Sequence, residues 1–186
     1  ERCACSAFFA EFNSVSRESA QTGYIFQRRQ ISITAAIPTA FLTSDRVCPM
    51  SFADHDIISA RYFFPRQQPL ADATLVDVGE ATLACYFADF GHDLTVVHFH
   101  GNGETVADYL PGFAQIFGHL GANIFFAEYR GYGGSSGTPR LGAMLDDVAA
   151  IREALGRDDQ QVAVFGRSIG SIYAIEYASR FPNIAG

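Results

Sequence analysis

The second half of the sequence alternates between short apolar runs and longer segments with helical spacing. In the longer segments apolar residues recur at intervals of three and four, which is the pattern of a helix with one buried face. The apolar runs are rich in Val, Ile and Phe and have the length of strands. Strands and helices are predicted, in order, at 94–99, 104–120, 123–127, 141–155, 161–165 and 168–180. Because strands that alternate with helices form right-handed β-α-β units, this half predicts a parallel sheet.

The residues before this alternation predict an antiparallel start to the same sheet. We expect a strand over Ile57–Phe64, closed by Pro65. Residues 74–78 and 81–87 are predicted to form a hairpin around a Gly-Glu turn. Further on, Pro111 is expected to kink the first long helix or to restart it. The predicted fold class is therefore α/β, with a mixed sheet.

Residues 1–49 are organised differently from the rest. They hold three of the four cysteines and show no clear hydrophobic period. We predict a poorly defined N-terminal extension over 1–49 and the N-terminal portion of a folded domain over 50–186. Two interpretations of the extension stay open: either Met50 is the natural start, or residues 1–49 are a poorly ordered tail or a membrane-proximal segment.

Composition excludes several classes of function. The net charge is −7 and no basic patch stands out, which argues against a nucleic-acid partner. No apolar run approaches the roughly 20 residues of a membrane-spanning helix, and no secretory signal is visible. Cys3 and Cys5 form a Cys-x-Cys pair with no second pair or histidine nearby, which is poor zinc spacing. We predict no metal or other cofactor and a reduced, cytoplasmic chain; the oligomeric state is not predicted.

Gly166-Arg167-Ser168-Ile169-Gly170 follows a predicted strand and opens a predicted helix. This is the context of a Gly-x-Ser-x-Gly turn that exposes a nucleophilic serine. The turn is too tight for side chains at its two glycine positions, and the helix N-terminus favours a developing negative charge. Ser168 is therefore the candidate catalytic nucleophile. The alternative is a Gly/Ser helix start without chemistry.

A second glycine-containing turn, His98-Phe-His-Gly-Asn-Gly103, follows the strand at 94–99. A serine nucleophile needs backbone donors for the oxyanion, one from the residue after the serine and one from the loop after the third strand. These donors are predicted to be the N–H groups of Ile169 and Asn102. His100 is expected to hold the loop in shape through hydrogen bonds. The alternative is a turn whose glycines serve geometry alone.

A third loop, Glu128-Tyr-Arg-Gly-Tyr-Gly-Gly-Ser-Ser-Gly-Thr-Pro139, lies between a strand and a helix. Phosphate binding is the competing interpretation, but the loop has neither a Walker A pattern nor a lysine, and its glycines do not fit Gly-x-Gly-x-x-Gly. We expect the loop to be structural, with Arg130 as its anchor.

These three motifs, in this order, resemble the α/β-hydrolase superfamily. The resemblance covers residues 57–186 and is best with the group that carries His-Gly-Asn, Tyr-Arg-Gly-Tyr-Gly and Gly-x-Ser-x-Gly, which includes bacterial hydrolases, peptidase-like relatives and protein depalmitoylases. It implies an α/β-hydrolase fold, with a mixed, mostly parallel sheet and helices on both faces. It also implies a serine hydrolase that acts on ester, thioester or amide bonds of a small-molecule or acyl substrate through an acyl-enzyme on Ser168.

The sequence departs from this group at several positions. Glu128 stands where Asp is usual, and Leu141 lies near the place of an acidic residue that often follows the proline. Ile169–Ser171 reads Ile-Gly-Ser instead of Leu-Gly-Gly, whereas Asp147 matches a later aspartate of the group. None of these departures touches the nucleophile.

The resemblance implies a triad in the chain order Ser, Asp or Glu, His. All five histidines precede Ser168, and the sequence ends at Gly186. We therefore expect these residues to be a C-terminally truncated front half that is inactive alone. Two alternatives stay open. One is a non-catalytic α/β-hydrolase-like binding protein; the other is a lipid-thioester hydrolase, with Cys3 and Cys5 as acylation sites.

Overall fold

A computed structural model describes residues 52–186, and the predicted extension at 1–49 lies outside the described residues. Strands and helices follow one another along this part of the chain: α1 (Asp56–Tyr62), β1 (Thr74–Asp77), β2 (Thr82–Ala88), β3 (Thr95–Phe99), α2 (Gly112–His119), β4 (Asn123–Ala127), α3 (Leu141–Leu155), β5 (Val162–Gly166) and α4 (Gly170–Arg180). Short 3-10 helices lie at Phe52–Asp54, Val106–Tyr109 and Asp159–Gln161.

The five strands form one mixed sheet in the order β1-β2-β4-β3-β5. β1 pairs antiparallel with β2, and β2 pairs antiparallel with β4. β3 lies parallel to both β4 and β5, in a register that places Phe99 opposite Ala127 on one side and Gly166 on the other. The carboxyl ends of β3, β4 and β5 therefore meet at one edge of the sheet, where ligands bind in open α/β sheets.

Two apolar clusters cover the two faces of the sheet. Val97, Phe99 and Phe125 face α3 and α4 in the larger cluster, and Ile124 and Phe126 face α2 in the smaller one. All five residues of β4 are buried, as expected for a parallel strand covered on both sides. The predicted mixed sheet with helices on both faces is confirmed.

The last residues of the chain lie along the outer side of β5. The backbone N–H of Ala185 donates to the carbonyl of Val162 at 2.7 Å, and the N–H of Val164 donates to the carbonyl of Gly186 at 2.9 Å. These bonds satisfy backbone groups on the outer side of β5. None of the helices formed by residues 52–186 combines the length and hydrophobicity needed to cross a bilayer.

The strand predicted at Ile57–Phe64 is wrong, because Asp56–Tyr62 form helix α1. The His55 imidazole accepts a hydrogen bond from the N–H of Ile57 and so caps the first turn. Asp56 in the first turn and Arg61 in the last suit the helix dipole. The apolar and aromatic run suggested a strand, yet Ile57 and Tyr62 are largely exposed, so the run does not mark a buried strand.

The other predicted elements are confirmed to within a few residues. The hairpin turns at Gly79, which has a φ of +79°. The long helix predicted at 104–120 is divided into the 3-10 turn at Val106–Tyr109 and α2, which begins after Pro111. Proline therefore restarts the helix. α3 matches its prediction at both ends, and Gly156 closes it in the left-handed conformation.

Replacing Ile124 with Ala should destabilise the protein strongly, because the side chain is fully buried between β4 and α2. We expect the free energy of unfolding to fall by about 2–5 kcal/mol in urea denaturation. Leu75→Ala is the control: that side chain is mostly exposed on β1 and should cost less than about 0.5 kcal/mol. Equal losses in the two variants would contradict the assignment of this core.

Candidate active site

Ser168 lies on a strained turn directly after β5. Its φ is +55°, and it is the only non-glycine residue with a positive φ within residues 52–186. A side chain with a Cβ adopts this conformation at a cost, so such a residue needs a surrounding structure that enforces it. The Ser168 side chain is exposed, and α4 begins two residues later. The strand, turn and helix thus hold the hydroxyl out at the carboxyl edge of the sheet.

The two glycines that flank Ser168 are required by close backbone contacts. A Cβ on Gly166 would lie 2.6 Å from the Cα of Ser171, inside the first turn of α4. A Cβ on Gly170 would lie 2.7 Å from the carbonyl oxygen of His100 and would also overlap the carbonyl of Phe99. Both distances are shorter than any normal contact of a Cβ atom. The sequence prediction of a turn without space at these positions is confirmed.

The loop after β3 reaches the turn from the side. The N–H of Arg167 donates to the carbonyl of Phe99 at 3.0 Å, so the ends of β3 and β5 are tied together. The N–H groups of Asn102 and Ile169, the two predicted oxyanion donors, make no hydrogen bond within residues 52–186. Both amides are thus available to a ligand as far as the described part of the chain is concerned.

The Asn102 side chain connects this loop to the segment after α1. Its Oδ1 accepts from the N–H of Phe64 at 3.0 Å and from the Tyr132 hydroxyl at 2.7 Å. Its Nδ2 donates to the carbonyl of Tyr62. Three hydrogen bonds to two separate segments fix the side chain, and with it the local backbone. The sequence pattern predicted only a backbone role for Asn102, because these long-range contacts have no local signal.

His100 has the structural role that the sequence predicted. It is 1% exposed, and its Nε2 lies 2.6 Å from Oε1 of Glu128. Its Nδ1 lies 2.9 Å from the carbonyl of Gly101, and its own carbonyl accepts from the Tyr129 hydroxyl at 2.8 Å. The imidazole is thus a buried connection between two loops.

Arg130 anchors the third loop, also as predicted. Its guanidinium makes two 2.7 Å hydrogen bonds to the carboxylate of Asp147 on α3, in a buried bidentate pair. The hydroxyls of Ser135 and Ser136 accept from backbone N–H groups of β2 at 2.8 and 2.9 Å. The loop is therefore fastened to α3 at one end and to the sheet at the other.

An ion pair that the sequence did not predict joins the two loops beside Ser168. The guanidinium of Arg167 donates to the carboxylate of Glu104, which also accepts from the N–H of Gly101 at 2.7 Å and the Tyr109 hydroxyl at 2.6 Å. Burial raises the pKa of Glu104, but these hydrogen bonds outweigh it and leave the pKa below its ordinary value. The pair spans 63 positions in sequence, so no local pattern indicates it.

A cavity of about 550 Å³ opens beneath this ion pair on the α2 face of the sheet. His98 and Phe165 are among its lining residues, and their rings stack with centroids 5.2 Å apart. His98 is 1% exposed, and neither ring nitrogen has a hydrogen-bond partner among residues 52–186. Burial lowers the pKa of His98 from 6.5 to about 4. Within this same part of the chain, no cluster of His, Cys, Asp or Glu could hold a metal ion.

The strand order and the strand–turn–helix at Ser168 define the α/β-hydrolase fold. The family model of the serine aminopeptidases S33 matches residues 91–186, just over half of the chain. The chain therefore belongs to this family of α/β hydrolases.

Two curated relatives agree with this assignment. Uncharacterized protein YfhR of Escherichia coli is 33% identical over 90 residues, which cover 46% of this chain and 31% of YfhR. Alpha/beta hydrolase domain-containing protein 17B of Homo sapiens is 28% identical over 109 residues, which cover 55% of this chain and 38% of that protein. The chain thus spans about a third of the length of each relative.

Solved structures with low sequence identity share the fold. The esterase Pf2001 of Pyrococcus furiosus has a TM-score of 0.54 and 19% identity, over 64% of this chain and 54% of the esterase. Est1E of Butyrivibrio proteoclasticus, solved with bound ferulic acid, has a TM-score of 0.52 and 17% identity, over 60% of this chain and 49% of Est1E.

Replacing Gly170 with Ala should disturb the turn at Ser168, because a Cβ there overlaps the carbonyl of Phe99. We expect the free energy of unfolding to fall by about 1–3 kcal/mol or more. Gly112→Ala in α2 is the matched control, since a Cβ there meets nothing within 4 Å. It should leave stability unchanged or raise it by up to about 1 kcal/mol. Urea denaturation of both variants checks this, and similar effects at the two sites would contradict the contact.

Replacing His98 with Phe should reduce the loss of stability in acid. Unfolded histidine takes up a proton below pH 6.5, whereas folded His98 stays neutral down to about pH 4. The free energy of unfolding therefore falls between pH 6.5 and 4, by about 1.4 kcal/mol for each pH unit at most.

We expect His98→Phe to remove on the order of 2 kcal/mol of the difference in unfolding free energy between pH 7 and 4.5. His119→Gln, at an exposed position on α2, is the control and should lose as much stability as the wild type. If His98→Phe lost as much unfolding free energy between pH 7 and 4.5 as the wild type, His98 would have to take up a proton in the folded protein.

Proposed function

We propose that this protein is a serine hydrolase that cleaves an ester, thioester or amide bond through an acyl-enzyme on Ser168. The observation that carries the proposal is the left-handed conformation of this exposed serine, held between two glycines that have no room for a Cβ. Strain of this kind persists where function requires it. In the proposed reaction the Ser168 hydroxyl gives its proton to a general base while its oxygen attacks the substrate carbonyl. The tetrahedral intermediate expels the alcohol, thiol or amine, which takes up that proton, and the acyl group stays on the serine until water releases it.

The proposed oxyanion donors are the N–H groups of Asn102 and Ile169. Support comes from their lack of partners within residues 52–186 and from the contacts that bring the two loops together at Phe99 and Gly170. A donor that is already oriented stabilises the developing charge without reorganisation during the reaction. The Asn102 side chain, bonded to Tyr132 and to the segment after α1, would supply that orientation.

The general base is assigned by this proposal to residues outside 52–186. His100 is committed to Glu128, and His98 is buried against Phe165 on the α2 face of the sheet. Because of these contacts, we assign the Ser168 proton to neither imidazole. The chain spans about a third of the length of its curated relatives, so the rest of such a protein has room for an acid and a base.

The substrate is proposed to be a small acyl compound. Among structures of the same fold, Pf2001 is described as an esterase and Est1E was solved with ferulic acid. We also propose a cytoplasmic location, which the cysteine content favours. Cys85, a buried free thiol, is compatible with this location.

An active-site-directed fluorophosphonate should label the full-length protein on Ser168, because the reagent traps an activated serine oxygen. Ser168→Ala should abolish labelling and the hydrolysis of p-nitrophenyl butyrate. Ser179→Ala, at an exposed position on α4, is the matched control and should be labelled like the wild type. Hydrolysis by Ser168→Ala at the wild-type rate would refute the proposal; a full-length protein without labelling or hydrolysis would favour the non-catalytic binding role.

A further inference from the structure

The Glu128 carboxylate holds both ends of the loop that follows β3. Its Oε1 lies 2.6 Å from Nε2 of His100, where the loop begins. Its Oε2 accepts from the N–H of Val106 at 3.0 Å, where the loop ends and the 3-10 turn starts. Glu128 itself belongs to the neighbouring loop after β4 and is 1% exposed. One buried carboxylate therefore fixes the separation between positions 100 and 106.

The hydrogen bonds around His100 require a proton between the two side chains. The carbonyl of Gly101 can only accept, so Nδ1 of His100 carries a hydrogen. At 2.6 Å from each other, Nε2 of His100 and Oε1 of Glu128 share one hydrogen.

Little space is left for Glu128 to move. A Cβ on Gly133 would overlap its carboxylate, and its Oε1 also accepts from the N–H of Tyr129 at 3.2 Å. Its own N–H donates to the buried Cys85 sulfur at 3.4 Å. The carboxylate is thus held at a fixed distance from β4. Because the loop at 100–106 is bonded to this carboxylate, its position relative to β4 is fixed as well.

We propose that Glu128 is a positioning residue that sets the conformation of the loop at 100–106, and through it the direction of the Asn102 N–H. The inference rests on the proposed function, in which that N–H receives the oxyanion. A small displacement of such a donor is costly, because stabilisation depends on its distance from the developing charge. Glu128 acts through His100 and Val106 and does not contact the substrate.

Three substitutions distinguish two properties of Glu128: its hydrogen bonds to both ends of the loop, and its negative charge. Glu128→Met keeps the length of the side chain but removes both hydrogen bonds. Glu128→Gln also keeps the length; its amide oxygen can accept from Val106 while its amide nitrogen donates to Nε2 of His100, and only the longer 3.2 Å bond from the N–H of Tyr129 is lost. Glu128→Asp keeps the charge but is shorter by one carbon–carbon bond, about 1.5 Å, and cannot reach both ends at once. Glu153→Gln, at an exposed position on α3, is the control.

With p-nitrophenyl butyrate and the full-length protein, we expect Glu128→Met to lower kcat roughly 100-fold, as for loss of an oxyanion donor, with KM nearly unchanged. The kcat of Glu128→Gln should stay within about ten-fold of the wild-type value. It should exceed the kcat of Glu128→Asp, because only glutamine can reach both ends of the loop. A kcat for Glu128→Asp above that of Glu128→Gln would show that charge matters and would overturn the proposal. So would a wild-type kcat in Glu128→Met.

Hydrogen–deuterium exchange gives a readout that does not need activity. In Glu128→Met the amides of residues 101–106 should exchange faster while those of β4 stay protected, and in Glu128→Gln both should match the wild type. Uniformly faster exchange in Glu128→Met would show a role in folding alone and would also overturn the proposal. Ser168→Ala distinguishes a failure of the proposed function from a failure of the role of Glu128. If Ser168→Ala retains hydrolysis, the proposed function is wrong. If Ser168→Ala is inactive and Glu128→Met is fully active, only the role of Glu128 is wrong.

Discussion

The contact between Gly170 and the carbonyl groups at the end of β3 is the constraint on which the site depends. It brings the first turn of α4 against Phe99 and His100, with no space for even one additional carbon atom. Because β3 and β5 are parallel and in register up to Phe99 and Gly166, this contact sets where the chain must turn after β5. The left-handed conformation of Ser168 follows from that turn. Packing of two backbones thus determines the direction of one hydroxyl.

Around this contact, the loops at the carboxyl edge of the sheet hold one another by buried polar groups. Glu128 bonds to His100 and Val106, and Asn102 bonds to Tyr132. Such networks are costly to bury unless every member finds a partner, and they then favour one conformation over its alternatives. Glycine-rich loops would otherwise be flexible. The glycines therefore permit the backbone conformations of the turns, and the buried polar side chains select one of them.

The local sequence pattern was sufficient to predict most of the strands and helices. α3 and β4 were predicted at their observed ends, because one has a regular apolar face closed by Gly156 and the other is a continuous apolar run. α1 was mispredicted, since its run of Ile, Tyr and Phe resembles a strand and the capping by His55 is a contact that composition does not show. The Arg167–Glu104 pair and the Asn102 contacts join distant positions, and a single sequence carries no signal for them.

The proposed function requires Ser168, on its strained turn, to act as a nucleophile. The most direct test is to mix full-length protein with p-nitrophenyl acetate, quench in acid within the first turnovers and map the acetylated peptide by mass spectrometry. We expect an acetyl group on the peptide that contains Ser168, on the hydroxyl of that residue. Release of p-nitrophenol with the acetyl group on another residue, or with no acetylated peptide at any time, would contradict it.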